Sequence, residues 1–252
     1  MEAHEYQTLF EFESSYWWFK GLHLIVLDAM NTLGLDKNAS ILDAGCGTGQ
    51  NLVNVTREVS GASYGFDVAS EAAPFWRKRG LQRVCRASIN AMPFPGEFFD
   101  AVLSVDVLEC EAVNEEQAFG EMWRVLKPGG FLLLVVPAYE WLLTPEHHKA
   151  VGASRRYSRQ RLISLLKKKP MDLIRITNLF ASLLPAVAAY RLAVRLLKSS
   201  SSGDPPRSEL KPLPRPLNEM LFRIMELERR LLRERDLPFG SSIMAVARKA
   251  GA

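Results

Sequence analysis

The stretch Ile41-Leu42-Asp43-Ala44-Gly45-Cys46-Gly47-Thr48-Gly49-Gln50 sets an acid two residues ahead of three glycines at alternate positions. Glycine has no Cβ, so the chain can turn sharply there and a ligand can come close to the main chain. The apolar residues before the acid suit a buried parallel strand, and the polar residues after the glycines can open a helix. Strand, glycine turn and helix N-terminus together make a nucleotide-type cofactor site. A tight turn that holds no ligand is the plain alternative. The dinucleotide fingerprint G-x-G-x-x-G is not met, because Gln50 stands where its third glycine would be. A second acid, Asp67, ends the run Ser63-Tyr64-Gly65-Phe66, 22 residues after Gly45. An acid at that distance, on the end of a second strand, can accept hydrogen bonds from ribose hydroxyls.

Further segments follow in order. Met92-Pro93-Phe94-Pro95 reads as a loop, and Phe98 to Glu109 carries an apolar strand. Trp123 to Pro137 reads as a helix end, a Lys127-Pro128-Gly129-Gly130 turn and a fifth buried strand. With these segments in place, the chain resembles the class I S-adenosylmethionine-dependent methyltransferases of the small-molecule type, related to ubiquinone and sterol methyltransferases. The likeness covers roughly residues 38–137. It implies an α/β fold with a Rossmann-like, doubly wound sheet of seven strands. That sheet would be mostly parallel, with an antiparallel last strand at Ser242–Arg248 beside the fifth and a helical insertion ahead of it.

The resemblance also implies roles. Asp43, Gly45 and Gly47 would line the methionine part of S-adenosylmethionine, and Asp67 would hold its ribose. Cys46, Gly49, Val68 and Val105 would complete the surround. An acid often bonds the adenine amino group in this family. Ser88 stands there instead, a weaker acceptor than a carboxylate, with the backbone of Ile89 sharing the task. The family's frequent histidine after Leu108-Glu109 is Cys110 here.

Acceptor-side residues are expected beyond the fifth strand, where open parallel sheets place their crevice. His147 or His148 is a candidate general base near neutral pH, with a solvated loop pair as the alternative. Arg155 or Arg156 could grip a carboxylate or phosphate. Tyr139 and Trp141 could wall an apolar acceptor, with Phe180 beside them. Tyr16, Trp17 and Trp18 could close as a lid over cofactor and substrate, or merely staple a helix expected over 19–33 to the sheet.

A net charge of +4 over 252 residues is too small to point to nucleic acid. Three cysteines with no C-x-x-C pair give no disulfide or metal framework, so no metal is expected. Residues 1–15 are polar and acidic and read as no signal peptide, which makes a cytoplasmic enzyme the expectation. The chain divides into an N-terminal helical cap (1–38), a cofactor-binding core (39–177), a helical insertion (178–238) and a final strand with its tail (239–252). A helix near Ser158–Lys169 and a sixth strand near Leu173–Thr177 complete the core.

The insertion holds an uncharged run, 176–190, read as an apolar helix, then a Pro/Ser linker, then an amphipathic helix. In that helix Met220, Ile224, Leu227 and Leu231 share one face with Leu221, Met225 and Leu232 beside it, and Arg223, Arg229, Arg230, Arg233 and Arg235 make the polar side basic. Such helices cover a core, meet a second copy in a homodimer, or lie on a membrane as a peripheral contact at its inner face. The leading reading is methyl transfer to a small, apolar or lipid-like acceptor. A Rossmann-type oxidoreductase and a non-catalytic binding or scaffold protein on the same fold are the alternatives.

Overall fold

The computed structural model describes residues 3–143, 152–186, 188–189 and 212–251. Among them the strands are β1 (Ile41–Ala44), β2 (Ser63–Asp67), β3 (Val84–Arg86), β4 (Phe99–Val105), β5 (Leu126–Pro137), β6 (Met171–Leu179) and β7 (Ser242–Lys249). They form one sheet in the order β3-β2-β1-β4-β5-β7-β6. All neighbours from β3 to β5 run parallel, while β7 runs antiparallel to both β5 and β6. The order reverses at β1, so the crevice expected of a doubly wound sheet opens at the carboxyl ends of β1 and β4. β7 lies beside β5 as expected, and β6 takes the edge.

The central strands read as unbroken apolar runs because helices cover both faces. Leu42, Val102, Leu132 and Leu134 bury one way, against α5 (Glu115–Val125) and α6 (Arg159–Leu166). Ile41, Leu103, Leu133 and Val135 bury the other way, in the cluster that holds α2 (Trp17–Asn31). Asn114 and Ser158 cap the N-termini of α5 and α6 with side-chain oxygens, which starts each helix where its sequence signals it.

Three local expectations are corrected. Lys127-Pro128-Gly129-Gly130 is the bulged start of β5 rather than a free turn, with the register against β4 shifting between Phe99 and Ala101. Gly129, at φ +77°, supplies the kink. Residues 176–179 belong to β6, so the uncharged run is not one helix. A helix unforeseen in the polar N-terminus, α1 (Ala3–Phe12), packs on the sheet's carboxyl edge.

The insertion's amphipathic helix, α7 (Arg215–Leu232), also turns differently from expectation. Its buried residues are Met225, Glu228 and Leu232, while Met220 and Leu227 are 52% and 64% exposed. A buried acid sets this rotation. The Glu228 carboxylate accepts from the backbone N–H groups of Phe180, Ala181 and Ser182 and from the Ser182 hydroxyl, closing the turn after β6. Arg229 and Arg233 both fork onto Asp28 of α2, which removes them from the free basic face.

Candidate functional site

The glycine loop joins β1 to α3 (Gln50–Glu58) and is folded back onto β2. Gly45 and Cys46 donate their N–H groups to the Phe66 carbonyl at 3.0 and 2.8 Å. Gly45 has φ +85°, and a Cβ there would sit 2.5 Å from Val107 Cγ2, so no other residue fits this position. The Gly47 N–H donates to Asp67 Oδ2 at 2.9 Å, which fixes the loop to the strand-end acid.

Asp43 is 1% exposed, and its Oδ2 has no hydrogen-bond partner among the described residues. Burial, aided by the like charge of Asp67, pushes its carboxyl up to about 8. A buried, unpaired carboxylate is costly unless something cationic or hydrogen-bonding meets it. An ammonium group beside a close-approach glycine loop is such a partner. Asp67 at the end of β2 and Asp43 at the end of β1 therefore fit the two hydrogen-bonding parts of an S-adenosylmethionine-type ligand. Ser88 Oγ accepts from the Asn90 N–H at 3.2 Å, and Ile89 is buried next to it. Cys46 is buried, and burial together with Asp43 and Asp67 holds its thiol well above the usual range. Val105 ends β4 half-buried, and Val68 is exposed.

The carboxyl edge carries three strained residues. Asp106, Tyr139 and Phe180 have φ of +53°, +61° and +62°, one or two residues beyond the ends of β4, β5 and β6. Non-glycine residues in this conformation cluster at functional sites. Asp106 is partly buried, and burial pushes its carboxyl up to about 7 against the pull of Arg156. Glu109 lies near, 6% exposed, with Oε2 lacking a hydrogen-bond partner among the described residues. Burial and Asp106 hold its carboxyl well above the ordinary range. Burial and Glu109 push the neighbouring Cys110 thiol up to about 12. Two buried or partly buried acids thus gather beyond the end of β4.

The acceptor-side expectations separate. His147 and His148 lie outside the described residues. The Arg155 guanidinium donates to the Val113 and Cys110 carbonyls at 2.9 and 3.3 Å, so its fork holds backbone. Arg156 is buried and donates to the Ala138 carbonyl at 3.0 Å. Tyr139 stacks on Trp141, which is 50% exposed. Tyr16 and Trp17 tilt against each other at the start of α2, and Trp18 stacks on Phe180. Two aromatic side chains hold the glycine loop and its acid: Trp76 of α4 (Ala73–Lys78) donates its indole N–H to the Gly47 carbonyl at 2.8 Å, and Tyr6 of α1 donates its hydroxyl to Asp67 Oδ1 at 2.9 Å. Tyr6 and Asp106 were not singled out by sequence. Acids at the end of an apolar strand, as in Val105-Asp106-Val107-Leu108-Glu109, are the signal that could have found the second.

Residues 42–134 match a protein-family model described as a methyltransferase domain. The match takes in the glycine loop, Asp67 and most of β5, which is less than half of the chain. Among curated relatives, the cycloartenol-C-24-methyltransferase of Arabidopsis thaliana is 31% identical over 134 residues, covering 48% of this chain and 38% of that protein. The chain thus spans less than half the length of the curated relatives it matches. Among solved structures, geranyl diphosphate C-methyltransferase from Streptomyces coelicolor superposes with a TM-score of 0.56 at 16% identity, covering 88% of this chain and 78% of that one. The [4+2]-cyclase SpnF gives a TM-score of 0.55 at 22% identity, covering 90% of this chain and 81% of that one. These two likenesses establish the fold of the methyltransferase domain. A cyclase on the same fold means that the chemistry must be argued from the site.

Proposed function

We propose that this chain is an S-adenosylmethionine-dependent methyltransferase that passes the methyl group to a small, apolar or lipid-like acceptor. The observation that carries the reading is the pair of strand-end acids around the glycine loop, Asp43 buried and unpaired, Asp67 bound to the loop itself. In this reading Asp43 takes the ammonium of the methionine part, Asp67 the ribose, and Ser88 with Ile89 the adenine. When bound, the cofactor supplies an electrophilic methyl on a sulfonium centre. The protein's task is then to hold the acceptor in line and keep water out.

Asp106 takes the role of proton acceptor wherever the acceptor must lose a proton. It sits at the crevice edge, and burial tunes it near neutral pH. The acceptor space is bounded by Val105, Trp18 and Phe180, apolar groups that share one packed cluster. An apolar acceptor suits that wall, as does the sterol substrate class named for the plant relative. The division proposed is cap 1–38, core 39–177, insertion 178–238 and final strand 239–252, with the insertion docked on the cap. Asn218 of α7 accepts from the Trp17 N–H and donates to the Ser15 carbonyl, both at 3.0 Å. The exposed Leu217, Met220 and Leu227, interleaved with exposed Arg223 and Arg230, give α7 a face suited to an anionic membrane surface. No helix among the described residues is long and apolar enough to cross a membrane.

Calorimetry with S-adenosylhomocysteine tests the cofactor. Transfer of a radiolabelled methyl from S-adenosylmethionine to an unsaturated sterol, set beside a water-soluble amine and a phenol, tests the acceptor class. Failure to bind S-adenosylhomocysteine would refute the reading. Binding with transfer only to the polar acceptors would refute its apolar half.

A further inference from the structure

Helix α1 is fastened to the glycine loop at three points. Tyr6 is 5% exposed, packed among Cys46, Ala72, Phe75 and Trp76, and its hydroxyl donates to Asp67 Oδ1. Leu9 Cδ2 lies 3.5 Å from the place a Cβ on Gly47 would take. Glu13, just past the end of α1, accepts from the Thr48 hydroxyl and pairs with Arg79. Arg79 in turn donates to the Thr48 carbonyl at 3.1 Å. Every one of these partners is in, or bonded to, the loop that approaches the cofactor.

The hydrogen-bond capacity of Asp67 decides what this means. An ionised carboxylate has about four lone-pair sites, two on each oxygen. Oδ1 already accepts from the Tyr6 hydroxyl at 2.9 Å and from the Ala69 N–H at 3.0 Å. Oδ2 accepts from the Gly47 N–H at 2.9 Å. One site is left, and a ribose brings two adjacent hydroxyls to the same acid. The backbone donors belong to the glycine loop and to the turn just after β2, and stay. The phenol is the donor that can leave, because it is carried by a separate helix. Burial and the Asp67 charge keep that phenol protonated, so it remains a donor throughout the working pH range.

We propose that Tyr6 gates the cofactor site, its phenol competing with the cofactor's ribose for Asp67 Oδ1. Helix α1 must then draw Tyr6 away from Asp67 for the nucleoside to seat, which couples cofactor binding to the position of the N-terminal cap. This rests on the S-adenosylmethionine reading of the site.

Tyr6→Phe keeps the ring in its apolar seat and removes only the competing donor. It should bind S-adenosylhomocysteine about tenfold tighter by calorimetry, the order expected when a hydrogen bond to a charged group no longer has to be given up. An S-adenosylhomocysteine analogue lacking both ribose hydroxyls should show no such gain. Glu13→Gln, which loosens the other end of α1, should speed S-adenosylhomocysteine association in stopped flow and serves should Tyr6→Phe fold poorly. Unchanged or weaker binding by Tyr6→Phe, an equal gain for the dideoxy analogue, or an unaltered association rate in Glu13→Gln overturns the proposal. If neither the unaltered chain nor the variants bind S-adenosylhomocysteine, the cofactor reading itself fails and the competition with it. Binding by the unaltered chain with no effect of either variant removes the competition alone.

Discussion

Trp18 lies face to face with Phe180, ring centroids 5.4 Å apart and planes 18° from parallel. The stack joins the first turn of α2 to the residue that follows β6, so the N-terminal cap and the start of the insertion share one aromatic contact at the crevice edge. Phe180 holds φ +62°, and the stack and the Glu228 carboxylate on its N–H together keep it there.

Trp18→Ala should therefore cost stability, about 2 kcal/mol from lost ring burial and stacking at a partly buried position. Urea denaturation checks this. Affinity for S-adenosylhomocysteine should change less than about threefold, because the cofactor loop is met by Tyr6 and Leu9 rather than by Trp18. A large loss of cofactor affinity would return Trp18 to the lid.

Asp43 gives a pH signature. Its folded carboxyl lies near 8 and its ordinary value is 3.8. The folded chain thus keeps a proton that the unfolded chain gives up. That contribution to stability is complete below about pH 4 and is lost as pH climbs towards 8. Asp43→Asn should flatten this decline in urea midpoints measured from pH 5 to 8. S-adenosylmethionine affinity should rise over the same interval in the unaltered chain, since its ammonium favours the ionised acid. In Asp43→Asn it should be at least about tenfold weaker and indifferent to pH.

Asp106→Asn separates chemistry from binding. Turnover of an acceptor that loses a proton should climb through about pH 7 in the unaltered chain. In the variant it should fall by roughly a hundredfold or more and lose that limb, the size expected of a missing general base. Calorimetric affinity for S-adenosylhomocysteine should stay within about threefold. An unchanged pH–rate profile would remove Asp106 from the reaction.

Glu228→Ala tests how the insertion is held. It strips one buried carboxylate from the backbone N–H groups of Phe180, Ala181 and Ser182. A loss of about 3 kcal/mol in urea unfolding is expected, because buried donors are left unmatched. Limited proteolysis should cut near residue 180 faster in the variant, whereas Leu227→Ala on the exposed face of α7 should leave both measurements unchanged.

The parallel core was legible because its strands are apolar without interruption and its turns are marked by glycine. Leu42 to Gly49 and Phe99 to Val105 could hardly take another place in a doubly wound sheet. Helix α1 was harder to see. Its residues Glu5, Glu11 and His4 make the segment look like a polar leader, and only the packing of Tyr6 against Phe75 and Trp76 shows which face is apolar. The rotation of α7 was misread for a related reason. Counting apolar residues assigns Glu228 to water, whereas three backbone N–H groups outside the helix make the interior the better place for it.

By itself the sequence determined the scaffold and the loop that takes the cofactor, since both rest on local rules. A glycine is required wherever φ is positive and space is short, and an acid two residues earlier falls within the last two residues of the strand. Tertiary structure alone decided which groups confront one another across the crevice. Asp106 and Glu109 face Arg156, 47 residues beyond Glu109, and Tyr6 meets Asp67 across 61 residues. Such pairings depend on desolvation and on the use of each lone pair, quantities that exist only once the chain has folded.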